Sequence, residues 1–155
     1  MLDAKDHKDV VKILIVDDHS LLREGLKRIL NMEDDFEVVG ECSDGTEVLS
    51  VCEQVQPDVV LMDINMPGQN GVVSTEELKK RFPDIKVIIL SIHDDESYVF
   101  ETLRIGAVGY LLKDMDSSEL IHAIRSVVDG YAYIHPKVSG KLINQIGRAS
   151  CRERV

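Results

Sequence analysis

The sequence predicts an α/β fold in which a parallel sheet is wound with helices on both faces. Short runs of Ile, Val and Leu alternate along the chain with amphipathic stretches. Each apolar run is bounded by turn residues, the pattern of strands buried on both faces. Several of these runs also end on a polar or charged residue, and in an open α/β sheet the carboxyl ends of the strands are where ligands bind.

The elements follow in order. Lys12-Ile13-Leu14-Ile15-Val16 runs into Asp17-Asp18 as a first strand. Leu21, Leu22, Gly25, Leu26, Ile29 and Leu30 then recur at helical spacing, with Ser20 placed to cap that helix. Phe36 to Gly40 reads as a short second strand, and Asp44 to Val55 as a helix carrying Val48, Leu49, Cys52 and Val55, stopped by Pro57. Asp58-Val59-Val60-Leu61-Met62 ends on Asp63, and a third helix follows from Gly71 to Phe82. Lys86-Val87-Ile88-Ile89-Leu90 ends on Ser91, before a helix from Asp95 to Ile105 closed by Gly106. Val108-Gly109-Tyr110-Leu111-Leu112 ends on Lys113. Asp116-Ser117-Ser118-Glu119 is a capping box opening a fifth helix, with Leu120, Ile121, Ile124, Val127 and Val128 apolar and Gly130 at its end.

Five strands alternating with five helices, joined by right-handed crossovers, give the flavodoxin-like (βα)5 arrangement with strand order 2-1-3-4-5. That order sets the first and third strands side by side, so Asp17, Asp18 and Asp63 converge.

The 155 residues suffice for one domain with a real core. Residues 1–10 read as a disordered arm and 11–130 as the domain. Tyr131 to Pro136 reads as a connector, leading to a further helix with Val138, Leu142, Ile143 and Ile146 on one face, within a 131–146 segment. Residues 147–155 match no pattern and read as a vector-derived tail.

The net charge is −10 and the tail is itself basic, so the body is more acidic still and would repel a phosphate backbone. Direct nucleic-acid binding is not expected. No run approaches the length of a membrane span, and Met1 to Lys8 is no signal peptide. Cys42, Cys52 and Cys151 are odd in number without CxxC spacing, which suits a reducing compartment, with Cys42 and Cys52 as small core residues. A cytoplasmic location is expected.

Clustered carboxylates at a strand edge repel one another, so Asp17, Asp18 and Asp63 call for a cation. An oxygen-only set this small, completed by water, suits Mg²⁺ better than Ca²⁺. Neither His nor Cys stands among these candidate ligands, which argues against zinc. Lys113 and Ser91 at the same edge can hold a phosphoryl group beside the metal, and a carboxylate there can itself accept it. Asp63, on the central strand, is the candidate acceptor.

Ile15-Val16-Asp17-Asp18-His19, Leu61-Met62-Asp63-Ile64-Asn65-Met66-Pro67-Gly68, Ser91 and Gly109-Tyr110-Leu111-Leu112-Lys113 resemble the receiver domain of two-component response regulators. Arg23-Glu24-Gly25-Leu26, Ser91-Ile92-His93-Asp94-Asp95 and Tyr110-Leu111-Leu112-Lys113-Asp114 resemble the NarL/LuxR-type group, of the DegU-like kind. The resemblance implies that Asp63 accepts a phosphoryl group from the phosphohistidine of a sensor histidine kinase. It makes Asp18 and Asp63 side-chain Mg²⁺ ligands, with Asp17 acting through water and Asn65 through its backbone carbonyl. Lys113 becomes the phosphoryl-binding lysine, Ser91 the switch hydroxyl and Tyr110 the switch aromatic, the ring turning into space vacated by Ser91. It further implies homodimerisation on activation, and DNA binding only through a helix-turn-helix output domain that this chain lacks. The only catalysis expected is phosphorylation and dephosphorylation of Asp63 itself. Two departures stand out: Asp114 follows Lys113 where many receivers have Pro, and Ile92 follows Ser91 where many have Ala.

Three other readings compete. A stand-alone receiver would act by protein–protein contact. A haloacid-dehalogenase-type phosphohydrolase would want a second Asp where Asn65 stands, and a cap domain. A flavodoxin-like cofactor binder would need a small-residue phosphate loop where Asp17-Asp18-His19 would repel an anion. His19 and His93 are left without a role; His93, at the site rim, reads equally as a gate for water and as a surface residue.

Overall fold

The computed structural model of the chain describes residues 10–66, 69–92 and 96–136, over 96–98 the backbone alone. Its strands are β1 (Val11–Val16), β2 (Phe36–Cys42), β3 (Val59–Asp63), β4 (Lys86–Ser91), β5 (Gly109–Leu112) and β6 (Tyr133–Ile134). Its helices are α1 (Ser20–Asn31), α2 (Val48–Val55), α3 (Gly71–Arg81), α4 (Glu96–Arg104) and α5 (Ser117–Val128). All strand pairs are parallel, in the order β2-β1-β3-β4-β5-β6.

The expected five-strand order is present, extended by a sixth strand where a connector was expected. Two residues carry no period to read, and β6 is held by partners distant in sequence. Tyr133 N–H donates to the Val108 carbonyl at 3.0 Å, and His135 N–H to that of Tyr110 at 2.9 Å. The Tyr133 hydroxyl donates to Glu119 Oε2 at 3.3 Å, and His135 Nε2 lies 3.6 Å from Oε1. The further helix expected beyond Pro136, the 147–155 tail and Cys151 lie outside the described residues.

Alternating strand residues divide the core into two layers, as a period of two requires. Ile13, Ile15, Val59, Leu61, Ile88, Leu90 and Leu111 meet Leu26 and Leu30 of α1 and Leu120, Ala123, Ile124 and Val127 of α5. Leu14, Val16, Val60, Met62, Val87, Ile89, Tyr110 and Leu112 meet Val48 and Cys52 of α2, Leu78 of α3 and Val99 of α4. Cys42 and Cys52 are both buried, which pushes the Cys42 thiol up to about 12 and the Cys52 thiol up to about 11. They are core residues and poor nucleophiles.

Several local details differ from the expected ones. His19, not Ser20, is the N-cap of α1, with no cap from its side chain, because its ring is drawn to Asp17. The buried face of α1 runs through Leu22, Leu26, Ile29 and Leu30, while Leu21 is 80% exposed and Gly25 faces solvent. Asp44 caps a 3₁₀ turn, Gly45–Glu47, ahead of α2. Asp116 caps α5 through the Glu119 N–H at 2.8 Å, but the capping box is only half formed, since Glu119 serves β6 instead. Gly106 (φ +112) and Gly130 (φ +98) end α4 and α5 in the left-handed region open to glycine.

Candidate metal and phosphoryl site

β1 and β3 are neighbours in register, Val16 beside Met62, so the residues that follow them, Asp17 and Asp63, emerge together at the carboxyl edge. Each strand end is finished in the same way. Asp17 Oδ1 accepts the His19 N–H at 2.8 Å, and Asp63 Oδ1 accepts the Asn65 N–H at 3.1 Å. These bonds across two residues are Asx turns, and they hold each carboxylate over the turn that leaves its strand. Behind Asp63 the start of α3 passes close: a Cβ on Gly71 would lie 2.3 Å from the Asp63 carbonyl oxygen, so only glycine fits.

Lys113 arrives from the end of β5, its N–H donating to the Ser91 carbonyl at 2.8 Å. Its Nζ lies 3.1 Å from Asp17 Oδ2 and 3.1 Å from Asp63 Oδ1. Asp17 and Asp63 are buried, whereas the Asp18 side chain is 31% exposed and Asn65 lies at the surface. Ser91 is fully buried one residue beyond Leu90, the β4 residue paired with Asp63. Tyr110 is fully buried in the layer of α2–α4, its carbonyl bonded to His135 of the β6 segment. His93 and the Pro67-Gly68 part of the Asp63 motif lie outside the described residues. No cis peptide bond occurs among the described residues, Lys113–Asp114 included.

Ligand atoms of Asp17, Asp18, His19 and Asp63 all lie within 4.8 Å of one another. His19 was not among the expected ligands. Its Nδ1 lies 2.9 Å from Asp17 Oδ1 and 3.2 Å from Asp18 Oδ1, because the Asx turn at Asp17 brings the ring back over the strand end. The adjacency of His19 to the aspartate pair was the one signal available.

Burial raises the Asp63 carboxyl above its ordinary range, and the Asp17 charge adds to the rise; the Asn65 N–H and Lys113 oppose it. Asp63 Oδ2 is buried without a hydrogen-bond partner. Asp17 Oδ2 also lacks a hydrogen bond, although Lys113 Nζ is 3.1 Å away; we regard this as an ion pair with poor alignment. Three carboxylates therefore face one ammonium, and one buried oxygen has nothing to bind. A divalent cation fits that charge deficit, and a hard one fits the oxygens.

The sequence matches the family of the response regulator receiver domain over residues 13–125. It is 54% identical to the transcriptional regulatory protein DegU of Brevibacillus brevis over 95% of this chain and 62% of that protein. It is 46% identical to the oxygen regulatory protein NreC of Staphylococcus carnosus over 87% of this chain and 63% of that one. The chain thus spans less than two thirds of the length of these relatives. Among solved structures, a LuxR-family response regulator from Aurantimonas sp. aligns with a TM-score of 0.84 at 27% identity, over 88% of this chain and 97% of that one. The receiver domain of the NarL regulator from Mycobacterium tuberculosis aligns with a TM-score of 0.75 at 34% identity, over 79% and 98%. Among the described residues no helix is long and apolar enough to cross a membrane. The sequence match, the flavodoxin-like sheet and the acidic pocket agree: the chain belongs to the response regulator receiver domain family and is of the NarL/LuxR type.

Proposed function

We propose that this receiver takes a phosphoryl group onto Asp63 from the phosphohistidine of a sensor histidine kinase. Asp18 and Asp63 would hold Mg²⁺ by their side chains, Asp17 would act through water, and Asn65 would offer its carbonyl. The observation that carries this reading is Asp63: buried, with an unpartnered Oδ2, and placed between a carboxylate and an ammonium.

In the transfer, an Asp63 carboxylate oxygen attacks phosphorus as the N–P bond to the imidazole breaks, and the histidine leaves as neutral imidazole once protonated. Mg²⁺, when bound, supplies the positive charge that lets two anions approach. Lys113 already touches Asp63 and can follow the charge as it moves onto the phosphoryl oxygens. The only reaction is on the protein itself, so the domain is a switch and not a turnover enzyme.

Ser91 and Tyr110 relay the state of the site. Ser91 sits beside the acceptor strand, and Tyr110 lies on β5, which ends just before Lys113 and pairs with β6 on its other edge. The output is control of transcription by an attached or partner DNA-binding domain, with homodimerisation on activation, in the cytoplasm. It is supported by the likeness to transcriptional regulators. The acidic chain has no charge basis for binding DNA by itself.

Incubation with acetyl phosphate and Mg²⁺ should add one acid-labile phosphoryl group, read by mass spectrometry. Asp63→Ala should add none; an unchanged mass gain in that variant would place the acceptor elsewhere.

A further inference from the structure

Arg23, one turn into α1, reaches back to the site. Its Nη1 donates a short hydrogen bond to the backbone carbonyl of Asp17, and its Nε donates to Glu41 Oε1 at 3.2 Å. Glu41, near the end of β2, also takes the Lys27 ammonium on Oε2 at 2.9 Å. The Arg23 side chain is only 17% exposed, so few other arrangements are open to it.

We propose that Arg23, anchored by Glu41, is a positioning residue of the site: it fixes the peptide between Asp17 and Asp18 so that both carboxylates stay turned toward Asp63. The proposal rests on the reading of this edge as a Mg²⁺-assisted phosphoryl site. A peptide unit is planar, so holding the Asp17 carbonyl also fixes the direction in which Asp18 leaves the strand. The same residue is held from its other side, where the Asp17 N–H donates to the Cys42 carbonyl at 3.0 Å. Asp18 needs this support most: its side chain is part-exposed, and its ion pair is with His19, itself 64% exposed. The planar fork of a guanidinium can hold a carbonyl and a carboxylate at once; an ammonium on a flexible stem holds such a geometry poorly.

Charge alone and position predict opposite results. Arg23 brings a cation toward three carboxylates, so by charge its removal would tighten Mg²⁺ binding. By position its removal lets the Asp17-Asp18 turn wander, and binding weakens.

The test is calorimetric titration of the full chain with MgCl₂, alongside the rate of Asp63 phosphorylation from acetyl phosphate at increasing Mg²⁺. Arg23→Ala should weaken Mg²⁺ binding by about tenfold, the lower end for partners that orient metal ligands. Arg23→Lys keeps the charge and should remain weakened, and Glu41→Gln should shift in the same direction by less. At saturating Mg²⁺ the phosphorylation rate of all three should return to that of wild type, since Asp63 and Lys113 are untouched. Wild-type or tighter affinity in a folded Arg23→Ala would overturn the proposal. So would a lower plateau rate at unchanged affinity. If Arg23→Ala does not fold, Glu41→Gln decides, and an unchanged affinity there overturns it as well. Failure of the underlying reading is visible separately, as wild type that neither binds Mg²⁺ nor gains a phosphoryl group.

Discussion

The two edges of the sheet both carry aspartates and treat them in opposite ways. At the amino edge Asp35, Asp58 and Asp84 line an open cavity of about 630 Å³ with Lys86 and Arg125. Arg125 donates to both oxygens of Asp35, at 2.8 and 3.1 Å, and to Glu33 at 2.9 Å; Asp58 Oδ2 takes the Lys12 N–H at 2.9 Å. The Arg125 hydrogen bonds hold the Asp35 carboxyl below its ordinary range. At the carboxyl edge burial and Asp17 push Asp63 above that range. The amino edge is therefore the less chemical of the two. Asp35 and Asp58 are satisfied by the protein, while Asp63 keeps an oxygen that the protein does not satisfy. A buried group left in that condition costs stability, and it is retained where something else is to bind.

This contrast can be broken most severely with magnesium. If the carboxyl edge alone is incomplete, Mg²⁺ should stabilise the protein by acting there. At about ten times its dissociation constant, a ligand of the native state adds ~1.4 kcal/mol. Asp18→Asn should abolish the resulting rise in melting temperature, whereas Asp58→Asn should leave it intact. A shift that survives in Asp18→Asn and disappears in Asp58→Asn would exchange the roles of the two edges.

A smaller effect sharpens the comparison without any ligand. Asp63 has a raised folded pKa, so it supports the fold when protonated. That support is complete below the unfolded value of 3.8 and is lost as pH rises through the folded value. At neutral pH the ionised carboxylate is a liability. Asp63→Asn should accept no phosphoryl group and yet raise metal-free stability at pH 7, by on the order of 1 kcal/mol. Denaturant unfolding at pH 7 and pH 4 measures it, and the gain should shrink at the lower pH. A loss of stability at pH 7 would mean that Lys113 outweighs burial and Asp17.

How far these edges were legible in the sequence follows from the same physics. Parallel strands buried on both faces must be continuously apolar, so the first polar or charged residue after each run marks the carboxyl edge. Asp17, Asp63, Ser91 and Lys113 were readable for that reason, and the crossover rules placed β1 beside β3. What escaped depends on turns and distant partners. His19 joins the cluster only because of the Asx turn at Asp17, and the same pull removes Ser20 from the cap position. Leu21 is apolar but lies off the buried stripe of α1, where helical period alone left the width of the face undecided. β6 is two residues long, and its anchor, Glu119, reads locally as half of a capping box.

The smallest expected effect lies at the amino edge. Arg125 and Asp35 are 46% and 40% exposed, so solvent screens their attraction despite two hydrogen bonds. Arg125→Ala should lose no more than about 1 kcal/mol from the ion pairs. Because Asp35 has a depressed folded pKa, its contribution is present above the unfolded value of 3.8 and is lost as pH falls through the folded value. The penalty of Arg125→Ala should therefore fade in acid, the reverse of a group that stabilises when protonated. It should also fade in high salt, where the screening length drops to about 3 Å at 1 M. One part should persist in both conditions. The guanidinium carbon stands 5.2 Å from the centre of the Phe36 ring, and Phe36 is buried, so stacking and covered apolar area do not depend on Asp35. Urea unfolding of wild type and Arg125→Ala, at low and high salt and at pH 7 and pH 3, separates the two parts. A penalty unchanged by salt and acid would assign the whole effect to Phe36. The amino edge would then be held by packing, and its carboxylates would contribute nothing measurable.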